Sequence, residues 1–260
     1  MNKIYFVTGS QDLYGEETLA QAARDSAKMA DFLNEKLSDI AEVIFQPVVK
    51  TADEAEDICV RASSDRECIG VIMWMHTFSP AKMWIRALKA LKKPMLHLHT
   101  QFNEKLPYDS IDMDFMNLNQ SAHGDREFGF ICTRLGIRRE VVAGYYQHGD
   151  VIEKIRRFAH AASAVSFSRT LRVAMLGNNM RDVAVTDGDR VESEICFGWN
   201  VNYYGIGDVV EIADSVTESE IDAKMAEYTE KYTMATDNIA AVREQAKYEA
   251  ALDKFIAREK

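Results

Sequence analysis

The chain has 260 residues, is 47% hydrophobic, and carries 31 Lys and Arg against 41 Asp and Glu, a formal net charge of −10 with a pI of about 5.2. That length allows one large domain or two ordinary ones. The acidic balance excludes a general attraction to nucleic acid or to an anionic membrane, and no apolar run approaches the ~18 residues of a membrane-spanning helix.

The N-terminus runs straight into an apparent strand with no signal-peptide pattern. Residues 3–8 (KIYFVT) read as that strand, and GSQDLYG after it as a tight loop between Gly9 and Gly15. Over 16–38 the residues Leu19, Ala22, Ala23, Ala27, Met29, Ala30, Phe32 and Leu33 form an apolar stripe near 3.6 spacing, which predicts a helix. A second strand is expected over 42–49. Thr51 can cap a helix over 51–63, with Glu54 placed to complete a capping box. A third strand covers 69–75, and a helix covers 80–91 with Pro80 at its start, where a missing N–H costs nothing. A fourth strand over 95–99 is followed by one helix over roughly 112–135, stopped by Gly136. A fifth strand over 140–143 and a helix over 151–166 complete the series.

Strand and helix alternate five times, and the strands are apolar without interruption, so both faces of the sheet are covered. The expected fold class is therefore α/β, an open parallel sheet of flavodoxin-like or Rossmann-like type over 1–169. A second unit over 170–260 opens with a strand at 171–176 and a Gly177-Asn178-Asn179 loop. Thr186 to Asp189 offers a capping box for a helix ending at Phe197, with Gly198 as its stop; a hairpin around Asp187-Gly188 is the rival reading. A strand over 200–206, a helix begun by Thr217 with Glu220 in capping position, and a last helix over 238–258 follow. Two or three strands are few for an independent domain, so this unit is expected to be part of a middle α/β domain.

The four cysteines, Cys59, Cys68, Cys132 and Cys196, show no CxxC spacing and read as reduced residues of a cytoplasmic protein. Candidate chemistry lies on loops after strands. GSQDLYG offers Gln11, Asp12 and Tyr14. It lacks GxGxxG and GK[ST], so it is neither a dinucleotide nor a phosphate loop; an ordinary strand-to-helix turn is the alternative. After the third strand, Phe78 can wall a sugar pocket and His76 can serve as a general base, or Ser79 simply caps a helix. The stretch 97–130 is the densest in such groups. His97 and His99 alternate onto one strand face, and with Glu104, Asp109 or Asp114 they could ligate a metal; histidines bonded to backbone are the alternative. Asn117, Asn119, Gln120 and His123 follow, and on one helix Asn119 and His123 share a face. Amides and an imidazole suit neutral hydroxyls, which need matched donors and acceptors; capping is the alternative. Met180, after the first strand of the second unit, is an apolar wall or a core residue.

GSQDLYG, MHTFSPAKMW, LHTQFN, DSIDMDFMNLNQSAHGDREFGF and GNNMRDVAVTDGDRV, in this order, resemble bacterial L-arabinose isomerases over essentially the whole chain. The resemblance implies conversion of L-arabinose to L-ribulose through an ene-diol, with a divalent metal, typically Mn²⁺, in a cytoplasmic homohexamer whose active site lies between subunits. On the matching positions it implies substrate contacts by Gln11, Leu13 and Tyr14 in the first loop, by Phe78 as an aromatic wall, and by Gln120 and His123 as polar groups that reach the sugar from the neighbouring subunit. Met180 would be an apolar contact. Family members are much longer than this chain. The glutamates and histidines that move the proton and hold the metal match no segment here, so no catalytic and no metal-ligating residue is expected. Two other expectations stand beside this one: an inactive sugar-binding or assembly module, and a metal enzyme built on His97 and His99.

Overall fold

The computed structural model of the chain describes residues 1–76, 78–177, 182–183 and 188–259. The chain divides into two units, Met1–Phe167 and Ser168–Lys260.

In the first unit five strands form one parallel sheet: β1 (Lys3–Thr8), β2 (Glu42–Phe45), β3 (Cys68–Trp74), β4 (Met95–His99) and β5 (Glu140–Ala143). Their order is β2-β1-β3-β4-β5. This is the flavodoxin-like order, and its connections diverge at β1 and β3. A crevice therefore opens at the carboxyl ends of those two strands, where open α/β sheets bind ligands.

Alternate residues of each strand face opposite sides. Ile4, Phe6, Ile72 and Leu98 pack with Met29 and Leu33 of α1 (Gly15–Leu37) and with Ile155 and Phe158 of α6 (Gly149–Ser168). Tyr5, Val7 and Met73 pack with Ile58 of α2 (Ala52–Ser64), Trp84 and Leu88 of α3 (Trp84–Ala90), and Phe128 of α5 (Ser121–Arg134). Helices on both faces are why β3 is buried along its whole length. Each large side chain so buried contributes about 1.5–3 kcal/mol of transfer free energy. The capping box of α2 forms as its spacing predicts. Thr51 Oγ1 accepts from the Glu54 N–H at 3.2 Å, and the Glu54 carboxylate accepts from the Thr51 N–H at 3.1 Å.

Three expectations for this unit are corrected. β2 ends at Phe45, before Pro47, which has no N–H for a ladder; only a Gly9–Val49 bridge resumes the pairing. The helix expected from Pro80 begins as a 3₁₀ turn, Ala81–Met83, and Ser79 does not cap it. Ser79 Oγ instead accepts from Trp84 Nε1 at 3.0 Å. The helix expected over 112–135 is two helices, α4 (Met113–Leu118) and α5, broken at Asn119 and Gln120. Asn119 Nδ2 donates to the Phe115 carbonyl at 3.0 Å, so a side-chain amide takes the place of helix continuation. Asn119 and His123 consequently share no helix face.

In the second unit β6 (Arg172–Leu176) pairs in parallel with β7 (Asn200–Tyr204). The helices are α7 (Arg190–Phe197), α8 (Ile206–Asp214), α9 (Glu218–Lys231) and α10 (Ile239–Arg258). The helix ending at Phe197 is present, and Gly198 stops it at φ 76, a left-handed conformation that glycine adopts freely. Its cap is Asp189, which accepts from the Glu192 N–H at 2.9 Å; Thr186 and Asp187 lie outside the described residues. The capping box at Thr217 and Glu220 is formed. The strand expected over 200–206 ends at Tyr204, and α8 follows it, a helix its glycines conceal. Among the described residues no helix is long and apolar enough to cross a membrane.

Candidate functional site

The carboxyl end of β1 leads into a loop and a short 3₁₀ turn, Asp12–Tyr14. The carboxyl end of β3 leads into residues 75–80. Gly9 brings these two loops together. A Cβ there would lie 2.6 Å from Met75 Sδ, 2.8 Å from Ser79 Oγ and 2.9 Å from the Trp84 ring, all closer than van der Waals contact, so only glycine permits the approach. Gln11 then continues in extended backbone and does not cap the turn after it. Leu13 is 84% exposed, and Tyr14 is half-buried.

Helix α5 supplies the third segment. The buried Asp125 carboxylate accepts from the Met75 N–H at 3.3 Å, and Glu127 accepts from the Ala81 N–H at 3.0 Å. These two anchors bracket Phe78 and hold the first turn of α5 over it. His123, exposed on that turn, packs on Phe78 with ring centroids 4.7 Å apart and planes tilted by 37°. Gln120 stands at the N-cap position of α5 but makes no side-chain cap bond, so its amide is not committed to the helix. The structure thus brings Phe78 and His123 into contact. Through Gly9 it sets the end of β1, from which the Gln11–Tyr14 loop continues, against the loop that carries Phe78, and it places Gln120 one turn ahead of His123. Met180 lies outside the described residues.

Asn119 is engaged differently. Its carbonyl accepts from Gln101 Nε2 at 3.1 Å and its Oδ1 accepts from Asn103 Nδ2 at 3.3 Å, so it ties down the loop after β4.

A buried polar chain lies at the end of β4. His97 Nε2 is 2.8 Å from Asp125 Oδ1, and His97 Nδ1 is 3.1 Å from His99 Nε2. His97 is 0% exposed and Asp125 1%. Burial holds the Asp125 carboxyl well above its ordinary range and pushes both imidazoles below theirs. Burial thus disfavours the charged form of each member of the group. The two histidines do share a face, as strand alternation predicts, but none of Glu104, Asp109 and Asp114 is their partner. Glu104 pairs with His148 on the surface at 3.3 Å, and Asp109 and Asp114 are exposed. Sequence reasoning missed Asp125 in this role. Its signal is position: Ser121, Asp125, Phe128 and Cys132 form the inward stripe of α5, and a carboxylate on an apolar stripe needs a buried partner.

The polar atoms of His97, His99 and Asp125 lie within 4.8 Å of one another. His97 nevertheless sits in the middle, with one ring nitrogen toward each neighbour. Those nitrogens diverge, so no single point faces three lone pairs. Mn²⁺ also favours oxygen-rich sets. These residues do not fit an Mn²⁺ ion.

His76 is not presented as a base. It is 0% exposed, and neither ring nitrogen has a partner among the described residues. It packs edge-on against Trp74 at 4.9 Å, and burial pushes it down to about 4.

Comparison with known proteins matches the chain to two sequence profiles, the L-arabinose isomerase N-terminal domain over residues 1–170 and the L-arabinose isomerase central domain over 172–260. It is 49% identical over 255 residues to the L-arabinose isomerase of Shouchella clausii, 48% over 260 residues to that of Geobacillus thermodenitrificans, and 46% over 256 residues to that of Thermotoga petrophila. Each alignment covers 98% of this chain and 52% of the relative. The chain spans about half the length of the curated relatives it matches.

Proposed function

The chain belongs to the L-arabinose isomerase family, and we propose that its first unit forms the sugar-facing wall of an aldose–ketose isomerase that converts L-arabinose to L-ribulose. The observation that carries this reading is the packing of His123 of α5 on Phe78, with Gly9, two residues before Gln11, packed against the loop that carries Phe78. Their chemistry suits a pentose. The Phe78 ring offers an apolar plane for the C–H face of a sugar. The Gln11 and Gln120 amides and the His123 imidazole offer both donors and acceptors to neutral hydroxyls. On this reading the chain's own residues bind and orient the sugar. The acid–base groups and the family's Mn²⁺ are held by residues other than these.

Large apolar side chains stand exposed in the first unit, with Leu13 at 84%, Tyr108 at 82% and Met113 at 64%. Such exposure favours cover by another protein surface. We add, from the family resemblance alone, that this surface is a homohexamer's and that the protein works in the cytoplasm.

The test is ketopentose formation from L-arabinose by the purified 260-residue chain, with Mn²⁺ and with a chelator. No metal-dependent product is expected from the folded chain alone. Metal-dependent turnover would contradict the reading and mean that a complete site exists within these 260 residues.

A further inference from the structure

Helix α5 carries His123 and Glu127 four residues apart, so the two stand one above the other on one face. That face meets the chain leaving β3 at two points. His123 packs on the Phe78 ring, and the Glu127 carboxylate accepts from the Ala81 N–H at 3.0 Å. The place of Phe78 is therefore referred to the same helix that carries its ring partner.

Ala81 is buried and opens the 3₁₀ turn Ala81–Met83, which runs on into α3. The first N–H groups of a helical turn have no partner within it. Pro80, at the N-cap position, makes no side-chain cap bond, and Ser79 Oγ is taken by Trp84 Nε1. Glu127 supplies the missing acceptor from another element, and a bond to a carboxylate is stronger than one to a neutral group. The Ser79 bond ties the loop to α3 and not to α5. Asp125 does tie it to α5, through the Met75 N–H, but before Phe78 in the chain. Among the described residues, Glu127 makes the hydrogen bond that ties the chain after Phe78 to α5.

We propose that Glu127 is a positioning residue for sugar binding. By holding the Ala81 N–H it sets the Phe78 ring against the His123 imidazole, and it acts on the sugar only through those two rings. The proposal rests on the sugar-wall reading above.

The test compares Glu127→Ala with Glu127→Gln, which keeps an acceptor of the same length. In the isotope-labelled 260-residue chain, Glu127→Ala should move the His123 ring-proton signals toward those of a Phe78→Leu variant, and Glu127→Gln should restore most of the wild-type positions. In a full-length relative with glutamate at the matching position, Glu127→Ala should raise KM for L-arabinose about two- to fivefold, below the loss of a direct sugar contact, and Glu127→Gln should recover most of that. kcat should hold, because contacts made alike in the ground and transition states act on KM. A cap that is only structural would lower Tm and leave the ring signals and KM where they were. Glu127→Asp, one methylene shorter, should act as Glu127→Ala does and carries the test if the alanine variant does not fold. Unmoved His123 signals in a folded variant without the bond would overturn the proposal. So would an unchanged KM in that variant where His123→Ala raises KM. If the ring signals move and His123→Ala also leaves KM unchanged, the sugar-wall reading is what fails, and the proposal falls with it.

Discussion

The Phe78 ring and the His123 imidazole pack 4.7 Å apart, although α3, β4 and α4 lie between them in the chain. Two carboxylate-to-backbone bonds, from Asp125 to Met75 and from Glu127 to Ala81, set that distance. The pair is the joint between the loop after β3 and the first turn of α5, so what weakens it should loosen both.

Replacing Phe78 by Leu removes one ring of the pair and keeps most of the apolar volume. The cost should be about 0.5–1.5 kcal/mol, the usual worth of an aromatic pair beyond its area. The His123 ring protons should lose the shift that a neighbouring ring imposes. His123 resonances that stay where they were would mean that the two rings do not pack in solution.

Asp125 should tolerate Asn far better than Ala. Asn keeps an Oδ1 that can accept from both the Met75 N–H and a His97 Nε2–H, which meet the same oxygen of Asp125. Ala leaves both buried groups unpartnered, at about 1–3 kcal/mol. Urea unfolding of the two variants checks this. Equal losses would show that the carboxylate matters for its charge and not for its hydrogen bonds.

Gly9→Ala should destabilise the first unit by about 1–3 kcal/mol, the cost of overpacking, because its Cβ would lie 2.9 Å or less from Met75, Ser79 and Trp84. Trp84 reports the strain by a shifted fluorescence maximum. Unchanged stability and emission would show that the two loops are free to separate.

Stability should fall in mild acid, with His76 as a main cause. An imidazole in the unfolded chain takes up a proton near pH 6.5, and His76 in the fold does so only near 4. Between these values the unfolded chain binds more protons, so acid favours unfolding, by about 3 kcal/mol over the full window. Burial acts on His97 and His99 in the same direction, while the raised Asp125 opposes it. His76→Leu should therefore flatten the fall in Tm between pH 6.5 and 4 without abolishing it. It should cost little at neutral pH, since two unpartnered nitrogens disappear with the ring. An unaltered pH profile would show that His76 does not stay neutral in the fold.

The parallel sheet was legible because its strands are continuous apolar runs ended by turn residues, and because Thr51, Glu54 and Gly198 mark helix ends by their own chemistry. The break at Asn119 and Gln120 was not legible, because it depends on one side-chain amide bonding the Phe115 carbonyl, which periodicity does not register. Helix α8 was hidden by Gly205 and Gly207, whose weak helix preference is offset by Asp208 accepting from the Gly205 N–H at 3.2 Å. Strand alternation put His97 and His99 on one face, but their partner, Asp125, comes from a helix distant in sequence. For Gln11, Phe78, Gln120 and His123 spacing offered only candidates, and family motifs drew them together.

The most direct measurement of the sugar-wall account is kcat/KM for L-arabinose in a full-length relative carrying the changes that correspond to Gln11→Ala and His123→Ala. Each should lower kcat/KM about two- to tenfold, the worth of one neutral hydrogen bond, with Tm and Mn²⁺ affinity unchanged. Wild-type kcat/KM in both variants would contradict the account and leave the carboxyl ends of β1 and β3 without a part in binding the sugar.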